Sequence, residues 1–317
     1  MSKLDESEII KIFQRKLGCK NFVSEDVETF KSSKPNIIAK TDTLVESTDI
    51  PPKMKLDDAA RKSVVACVSD FAAKGVKPQY GIISVNFPSS ISRSKVEEAA
   101  SGFRKACNEF GISILGGDTN AGREVVFNVC LFGNSDGIVP RRGAKNKDLI
   151  FATGPFGYTA AGLAILLHKK KGRRDFVKKA IQSTIHAKAR NVDFGVKNKR
   201  YFSSAMDSSD GLSTTLNEMA KQSKKKFVIT NSPHKKDVEE FAKSQKINQD
   251  KLVFHGGEEY EFVFTINPKY KQIILKNAKS LRTPIIEIGH VTTGKGVILQ
   301  RDNKTIPLKD KGWKHFR

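Results

Sequence analysis

The chain is short of cysteine, has one tryptophan and contains no long apolar run. Its four cysteines, Cys19, Cys67, Cys107 and Cys130, stand singly with no CxxC pair. That excludes a thiolate zinc site and a disulfide framework, and predicts buried, reduced thiols. The six histidines are equally scattered, none at the i, i+4 spacing that would set two ligands on one helical face. The longest clean apolar stretch, Ala161 to Leu167, is far below the roughly 18 residues of a spanning helix, so no membrane-crossing segment is expected. Asp5, Glu6 and Glu8 fall among Ile9, Ile10 and Phe13. This acidic amphipathic pattern lacks the basic and apolar regions of a signal peptide, and a cytoplasmic location is expected.

Acidic residues are also in the minority: 34 Asp and Glu against 56 Lys and Arg give a formal charge of +22. Such an excess attracts nucleic acid, acidic lipid or phosphorylated small molecules without choosing between them. The densest basic clusters, Lys169 to Lys171 with Arg173 and Arg174, and Lys224 to Lys226, each follow an apolar helical pattern. They read as helix ends, where cations favour the negative end of the dipole, and as solvated surface.

What is present is a two-domain α/β pattern in 317 residues, with a boundary near residue 140 that divides the chain into 1–140 and 141–317. The first half reads as a strand at 36–42, a helix at 57–74 with the apolar face Ala60, Val64, Cys67, Val68 and Phe71, and a strand at 80–87. A helix carrying Ala99, Phe103, Ala106 and Phe110 follows, then the apolar run 112–115 and a strand at 125–132. The second half reads as strands at 148–153, 202–206, 227–230, 260–266, 284–290 and 296–300. Helices are predicted at 159–168, 176–185, 212–220 and 269–278.

In so basic a chain the few aspartates are informative by position. Asp42 closes the first strand, Asp118 follows Gly116 and Gly117, and Asp207 and Asp210 bracket two serines ahead of a helix. Asp70 lies inside a helix, about 100° from the middle of its apolar face, and is expected half-buried at a domain edge. Singly, Asp210 reads as a helix N-cap and Asp42 and Asp118 as turn residues. As a set, they are the oxygen ligands that Mg²⁺ takes alongside substrate phosphates. Gly116 and Gly117 would let backbone amides approach a phosphate, and the helix starting near Gly211 would present free amides to an anion. Together these predict phosphoryl chemistry. The segment GHVTTGKG at Gly289 to Gly296 has P-loop spacing but ends in glycine and sits between β-like runs, so it reads as strand, turn, strand.

The runs TDTLV (Thr41 to Val45), VSDFAAKGVKP (Val68 to Pro78), GGDTNAG (Gly116 to Gly122), MDSSDGL (Met206 to Leu212), GGEEYEFVFT (Gly256 to Thr265) and GWKHF (Gly312 to Phe316) occur in order. Together they resemble the motifs of thiamine-monophosphate kinases. The resemblance implies an aminoimidazole ribonucleotide synthetase-like fold, an N-terminal sheet domain followed by a C-terminal α/β domain, in a homodimer. It implies transfer of the ATP γ-phosphoryl group to thiamine monophosphate. By resemblance, Asp26, Thr41, Asp42, Asp70, Asp118, Asp207 and Asp210 would bind several Mg²⁺ ions, with K⁺ a further candidate ion. Gly117, Asp118, Arg141 and Ser209 would contact ATP, and Asp49, Glu258 and Trp313 would hold thiamine monophosphate. Asp70, Asp207 and Arg141 would carry the catalysis, and Trp313 would stack on a flat heteroaromatic ring.

Three positions depart from the family pattern. Ser24, Glu25 and Asp26 replace a GDD run, Glu46 to Asp49 replace a GVHF-like stretch, and Lys40 stands where Ser or Thr is common. An ATP-dependent synthetase of the same superfamily, acting on a purine-pathway amide or on an unknown substrate, is the enzyme alternative. A nucleic-acid-binding module rests on the +22 charge alone and gives no reason for intact GGDT and SDGL runs.

Overall fold

The computed structural model describes residues 28–30, 35–189, 192–301 and 304–314. Asp26, Cys19, the acidic N-terminal segment, His315 and Phe316 lie outside the described residues. Two sheets organise the chain. The first has the order β1-β2-β5-β3-β4, with β1 at Glu28–Phe30, β2 at Asn36–Val45, β3 at Tyr80–Pro88, β4 at Ser113–Gly122 and β5 at Val126–Ser135. All its pairings are antiparallel except β3 with β4.

The second sheet has the order β12-β11-β8-β10-β6-β9-β7. Its strands are β6 (Leu149–Ala152), β7 (Phe202–Ser208), β8 (Lys226–Ile229), β9 (Glu261–Ile266), β10 (Ile286–Thr292), β11 (Gly296–Arg301) and β12 (Lys304–Pro307). The Gly289 to Gly296 segment is β10, a turn and the start of β11, as read, but the two strands flank β8 instead of pairing with each other.

The predicted apolar face of the helix Leu56–Lys74 is fully buried: Ala60, Val64, Cys67, Val68 and Phe71 are all at 0% exposure. This helix covers one face of the first sheet and turns its other side to the second. Gly195, in the helix Val192–Asn198, lies so close to the Ala72 carbonyl that any Cβ there would collide with it. Val192–Asn198 and the helix Lys236–Ser244 have no counterpart among the predicted elements. Cys67 and Cys107 are buried and free, and Cys130 is half-buried and free. Burial pushes all three thiols above their ordinary value, as expected for inert structural cysteines.

Two expectations for the first sheet need correction. Asp42 does not close a strand, because β2 runs on to Val45 with Asp42 paired to Val129. The Gly116, Gly117, Asp118 run is not a turn but part of β4, exposed along its whole length. At Gly117 a Cβ would strike the Ile83 carbonyl, so the glycine answers first to the close approach of β3. An exposed polar edge strand has no apolar alternation, which is why glycine and aspartate there look like a turn.

In the second unit the helix Tyr158–His168 begins after Gly157 without a local side-chain cap. Glu259 supplies one from a distance, accepting from the Gly157 amide at 2.6 Å, the Thr159 amide at 3.3 Å and the Thr159 hydroxyl at 3.2 Å. Burial, with Glu261 nearby, pushes the Glu259 carboxyl up to about 7 against the lowering effect of these hydrogen bonds. The folded state therefore keeps a proton that the unfolded chain releases near pH 4.5. Glu259 favours folding most below that pH, and the benefit is lost as pH rises towards 7. The difference in urea-unfolding free energy between native protein and Glu259→Gln should shrink or reverse by roughly 3 kcal/mol from pH 4 to pH 8; a difference flat with pH would contradict this burial effect.

Candidate active site

The helix Leu56–Lys74 carries three charged side chains that are almost fully buried, Lys62, Asp70 and Lys74. Asp70, 3% exposed and so deeper than expected, receives the Lys40 ammonium at 2.8 Å. Lys40 also lies 3.6 Å from Asp42. Residues 40 and 42 are two apart on β2 and share the face turned to the helix. One residue before Asp70, the Ser69 hydroxyl donates to Asp207 of β7 at 3.1 Å. One helical turn thus gathers a lysine and an aspartate from the first sheet and an aspartate from the second. Burial alone would lower the Lys40 ammonium, but Asp70, Asp42 and then Asp207 outweigh it and hold the group well above its ordinary value.

A second group lies further towards the start of the helix. Lys62 donates to the Asp49 carbonyl at 2.8 Å and forms an ion pair with Glu258. The Asp49 carboxylate turns back to accept from the Val45 amide at 2.7 Å, so Asp49 offers Lys62 its backbone only. Glu258 and Tyr260 hold left-handed backbone, φ 63° and 50°, costly for residues with a Cβ. Tyr260 is buried between the two groups. Burial pushes its hydroxyl well up, reinforced by Glu258, Asp42, Asp49 and Asp207.

The third component joins Ser209, Asp210 and Trp313. The Ser209 carbonyl accepts from the Glu258 amide at 2.6 Å, and the Asp210 carbonyl accepts from the Trp313 amide at 2.9 Å. The MDSSDGL loop, the GGEEYEF loop and the C-terminal segment are therefore pinned to one another by backbone. Trp313 is 52% exposed and does not serve as a core residue. Asp210 is not a helix N-cap: Gly211, at φ 113°, holds that position in front of the helix Leu212–Ser223. The Ser213 amide at that helix start is taken by the Phe254 carbonyl at 2.7 Å, which narrows the anion site expected there.

Other expected residues lie apart. Register sets Asp42 level with Val129, Ile83 and Gly117, and Asp118 one step along with Ser84. Asp118 is thus on the opposite face of the sheet from Asp42 and roughly 14 Å across it, three strand spacings away. Thr41 is exposed and also projects from that opposite face. Arg141 is half-buried in the segment between β5 and β6, beside Pro140, whose carbonyl accepts from the Ala205 amide of β7 at 3.0 Å.

Among the described residues no three His, Cys, Asp or Glu side chains are placed to hold an ion between them. The donor set still fits Mg²⁺, because all its groups are oxygen and Asp42 and Asp70 already share one cation. Mg²⁺ is commonly held by one or two carboxylates plus substrate phosphates, not by an all-protein cage. Lys62, Ser69 and Tyr260 were not singled out from the sequence. Lys62 and Ser69 stand seven residues apart, on one helical face, and a lysine on that stripe is the signal that would have found them.

Comparisons with known proteins place the whole chain. Residues 25–134 match the AIR synthase related protein N-terminal domain, and residues 148–302 match the corresponding C-terminal domain. The chain is 84% identical over 317 residues to a thiamine-monophosphate kinase of Nitrosopumilus maritimus (strain SCM1), covering 100% of both chains. It is 32% identical to one from Pyrococcus horikoshii, covering 100% of this chain and 98% of the relative. A solved structure described as AaThiL complexed with AMPPCP and TMP superposes with a TM-score of 0.86 at 27% identity, covering 100% of this chain and 99% of that one. With both sheet units, the ordered motifs and full-length identity in agreement, the chain belongs to the thiamine-monophosphate kinase family.

Proposed function

We propose that the chain transfers the γ-phosphoryl group of ATP to the phosphate of thiamine monophosphate, giving ADP and thiamine diphosphate. The observation that carries this reading is the 84% identity over the full length to a thiamine-monophosphate kinase. A structure of a more distant relative, described as complexed with AMPPCP and TMP, supports an ATP-like nucleotide and a thiamine phosphate as the bound pair.

Transfer between two anions needs charge neutralised and oxygens aligned more than it needs a protein nucleophile. Asp42, Asp70 and Asp207 are assigned to Mg²⁺, with Asp210 at the adjoining loop and Asp26 from the N-terminal segment. Bound there, the metal would neutralise phosphate charge and polarise the transferred group. Ser209 and Arg141 are assigned to ATP with Gly117 of β4, which shares the Asp42 face of the sheet, while Asp118 keeps that assignment from the family resemblance alone, since it projects from the opposite face. Lys62 orients Glu258, and Trp313 offers a half-exposed ring for the thiamine heterocycle. The domains 1–140 and 141–317 contribute to this site together, because Asp70 and Asp207 reach it from different halves.

The same reading includes a homodimer. Tyr80 and Ile82 of β3 and Ile114 and Leu115 of the neighbouring edge strand β4 are exposed, and Leu115 is 66% exposed. Unpaired strand edges with apolar side chains invite pairing with a second copy. Leu115→Glu should move the native mass measured by light scattering from two chains towards one; a native protein already of single-chain mass would refute the dimer.

Purified protein given ATP, Mg²⁺ and thiamine monophosphate should yield thiamine diphosphate, separable by chromatography. Asp70→Asn should cut kcat on the order of 100-fold or more, and a metal-free sample should be inactive. ATP turnover without thiamine diphosphate would shift the substrate to another acceptor and sink the reading. Trp313→Ala should raise KM for thiamine monophosphate about tenfold, the size of one lost stacking contact. The KM for ATP should stay unchanged; an equal rise for both substrates would argue against stacking on thiamine.

A further inference from the structure

A lysine at position 40 puts a positive charge into a site otherwise built of carboxylates. The Lys40 ammonium contacts the Asp70 carboxylate at 2.8 Å and lies 3.6 Å from Asp42. Asp207 adds to the negative surroundings from the second sheet. The Lys40 side chain is only 24% exposed and that of Asp70 only 5%. The ammonium is therefore seated between carboxylates and does not sweep solvent.

A hydrated divalent ion and an ammonium compete for the same place. Mg²⁺ must come within about 2.1 Å of a carboxylate oxygen to bind it. One of the two Asp70 oxygens, Oδ2, already accepts a hydrogen bond from Lys40. A second positive charge beside the ammonium would also be repelled in a half-buried setting where water screens poorly.

We propose that Lys40 is a built-in cation of the phosphoryl-transfer site, taking the place of one divalent ion between Asp42 and Asp70. With its nucleotide, this chain then binds one metal ion fewer than it would with a neutral residue at position 40. The inference rests on the assignment of these carboxylates to metal in the kinase reading. Lys40 acts on the reaction through Asp42 and Asp70 and is a positioning residue.

The test counts metal. Full-length native protein, Lys40→Ser, Lys40→Gln and Lys40→Arg are saturated with a non-hydrolysable ATP analogue and titrated with Mn²⁺, reading free Mn²⁺ by electron paramagnetic resonance. Lys40→Ser should bind one Mn²⁺ more per chain than native, and Lys40→Arg should match native. Lys40→Gln keeps the side-chain length without the charge and gives the same comparison should the serine variant not fold.

A second readout is thermal. Chelator should lower the melting midpoint of the uncharged variants by several degrees, recovered by Mg²⁺, and should change that of the native protein little. Equal, non-zero Mn²⁺ counts in native and uncharged variants overturn the role of Lys40 while leaving the metal assignment standing. No Mn²⁺ bound by any of them overturns both.

Discussion

A charge taken out of water has to be met by another charge or by well-placed oxygen, and the helix Leu56–Lys74 takes three charges into the interior. Each is met from outside the helix. Asp70 is met by Lys40 of β2, Lys62 by Glu258 and the Asp49 carbonyl, and Lys74 by the Ala205 carbonyl of β7 at 2.9 Å. Apolar contact between two sheet units tolerates small rotations and slips, whereas a buried ammonium displaced by about 1 Å from its hydrogen-bond distance loses most of its compensation. The relative setting of the two units is therefore fixed by this ladder of buried polar contacts, laid over an apolar face that supplies the bulk of the driving force. The site follows from the same ladder, because its rungs are the residues that bring Asp42, Asp70, Asp207 and Glu258 to one side of one helix.

Much of this was legible in the sequence wherever an apolar period was strong. The helix Leu56–Lys74 and its buried face, the strand that carries Asp42, the strand that leads into Asp207 and the off-face position of Asp70 all follow from periodicity, though β7 runs two residues past its expected end to include Asp207. Asp70 proved deeper than its angle on the helix suggested, because burial at a two-sided helix depends on what covers the second side. Periodicity cannot report that. The GGD run misled for a different reason: β4 is held by backbone pairing to β3 and has no buried face to advertise itself. The helix Lys236–Ser244 does carry the helical triplet Val238, Phe241 and Ala242, all buried, but it is short and set among lysines and glutamates. Asp118 and Thr41 mark a further limit, since one residue of strand register decides the face of a sheet and motif spacing does not encode it.

The partners of the acidic residues were harder to foresee than the acids themselves. Lys40 was visible only as a departure from a family pattern, and Lys62 not at all, although both define the chemistry at least as much as the aspartates they meet. A lysine in sequence is ordinarily a solvated cation, and 56 basic residues make any particular one inconspicuous. What separates Lys62 from its fellows is its place on an otherwise apolar and small-residue stripe. Glu258 and Tyr260, in left-handed backbone, show the cost accepted to bring the GGEEYEF loop within reach of it.

The abundance of positive charge and the acidity of the site are two parts of one electrostatic arrangement. Carboxylates gathered at one place would by themselves repel a nucleotide polyphosphate and a phosphate ester. A net +22 spread over the surface gives an attractive field at long range, which draws both anions towards the protein. Many of these cations stand where they serve local structure as well: Lys169 and Lys224 end helices in left-handed conformation, and Lys170 donates its amide to the carbonyl of Ala164. A nucleic acid partner is not needed to account for them. The field gathers substrates and is screened within about a Debye length. At the site itself, charge is set by contacts of a few ångströms, where Lys40 counts for more than the rest of the surface.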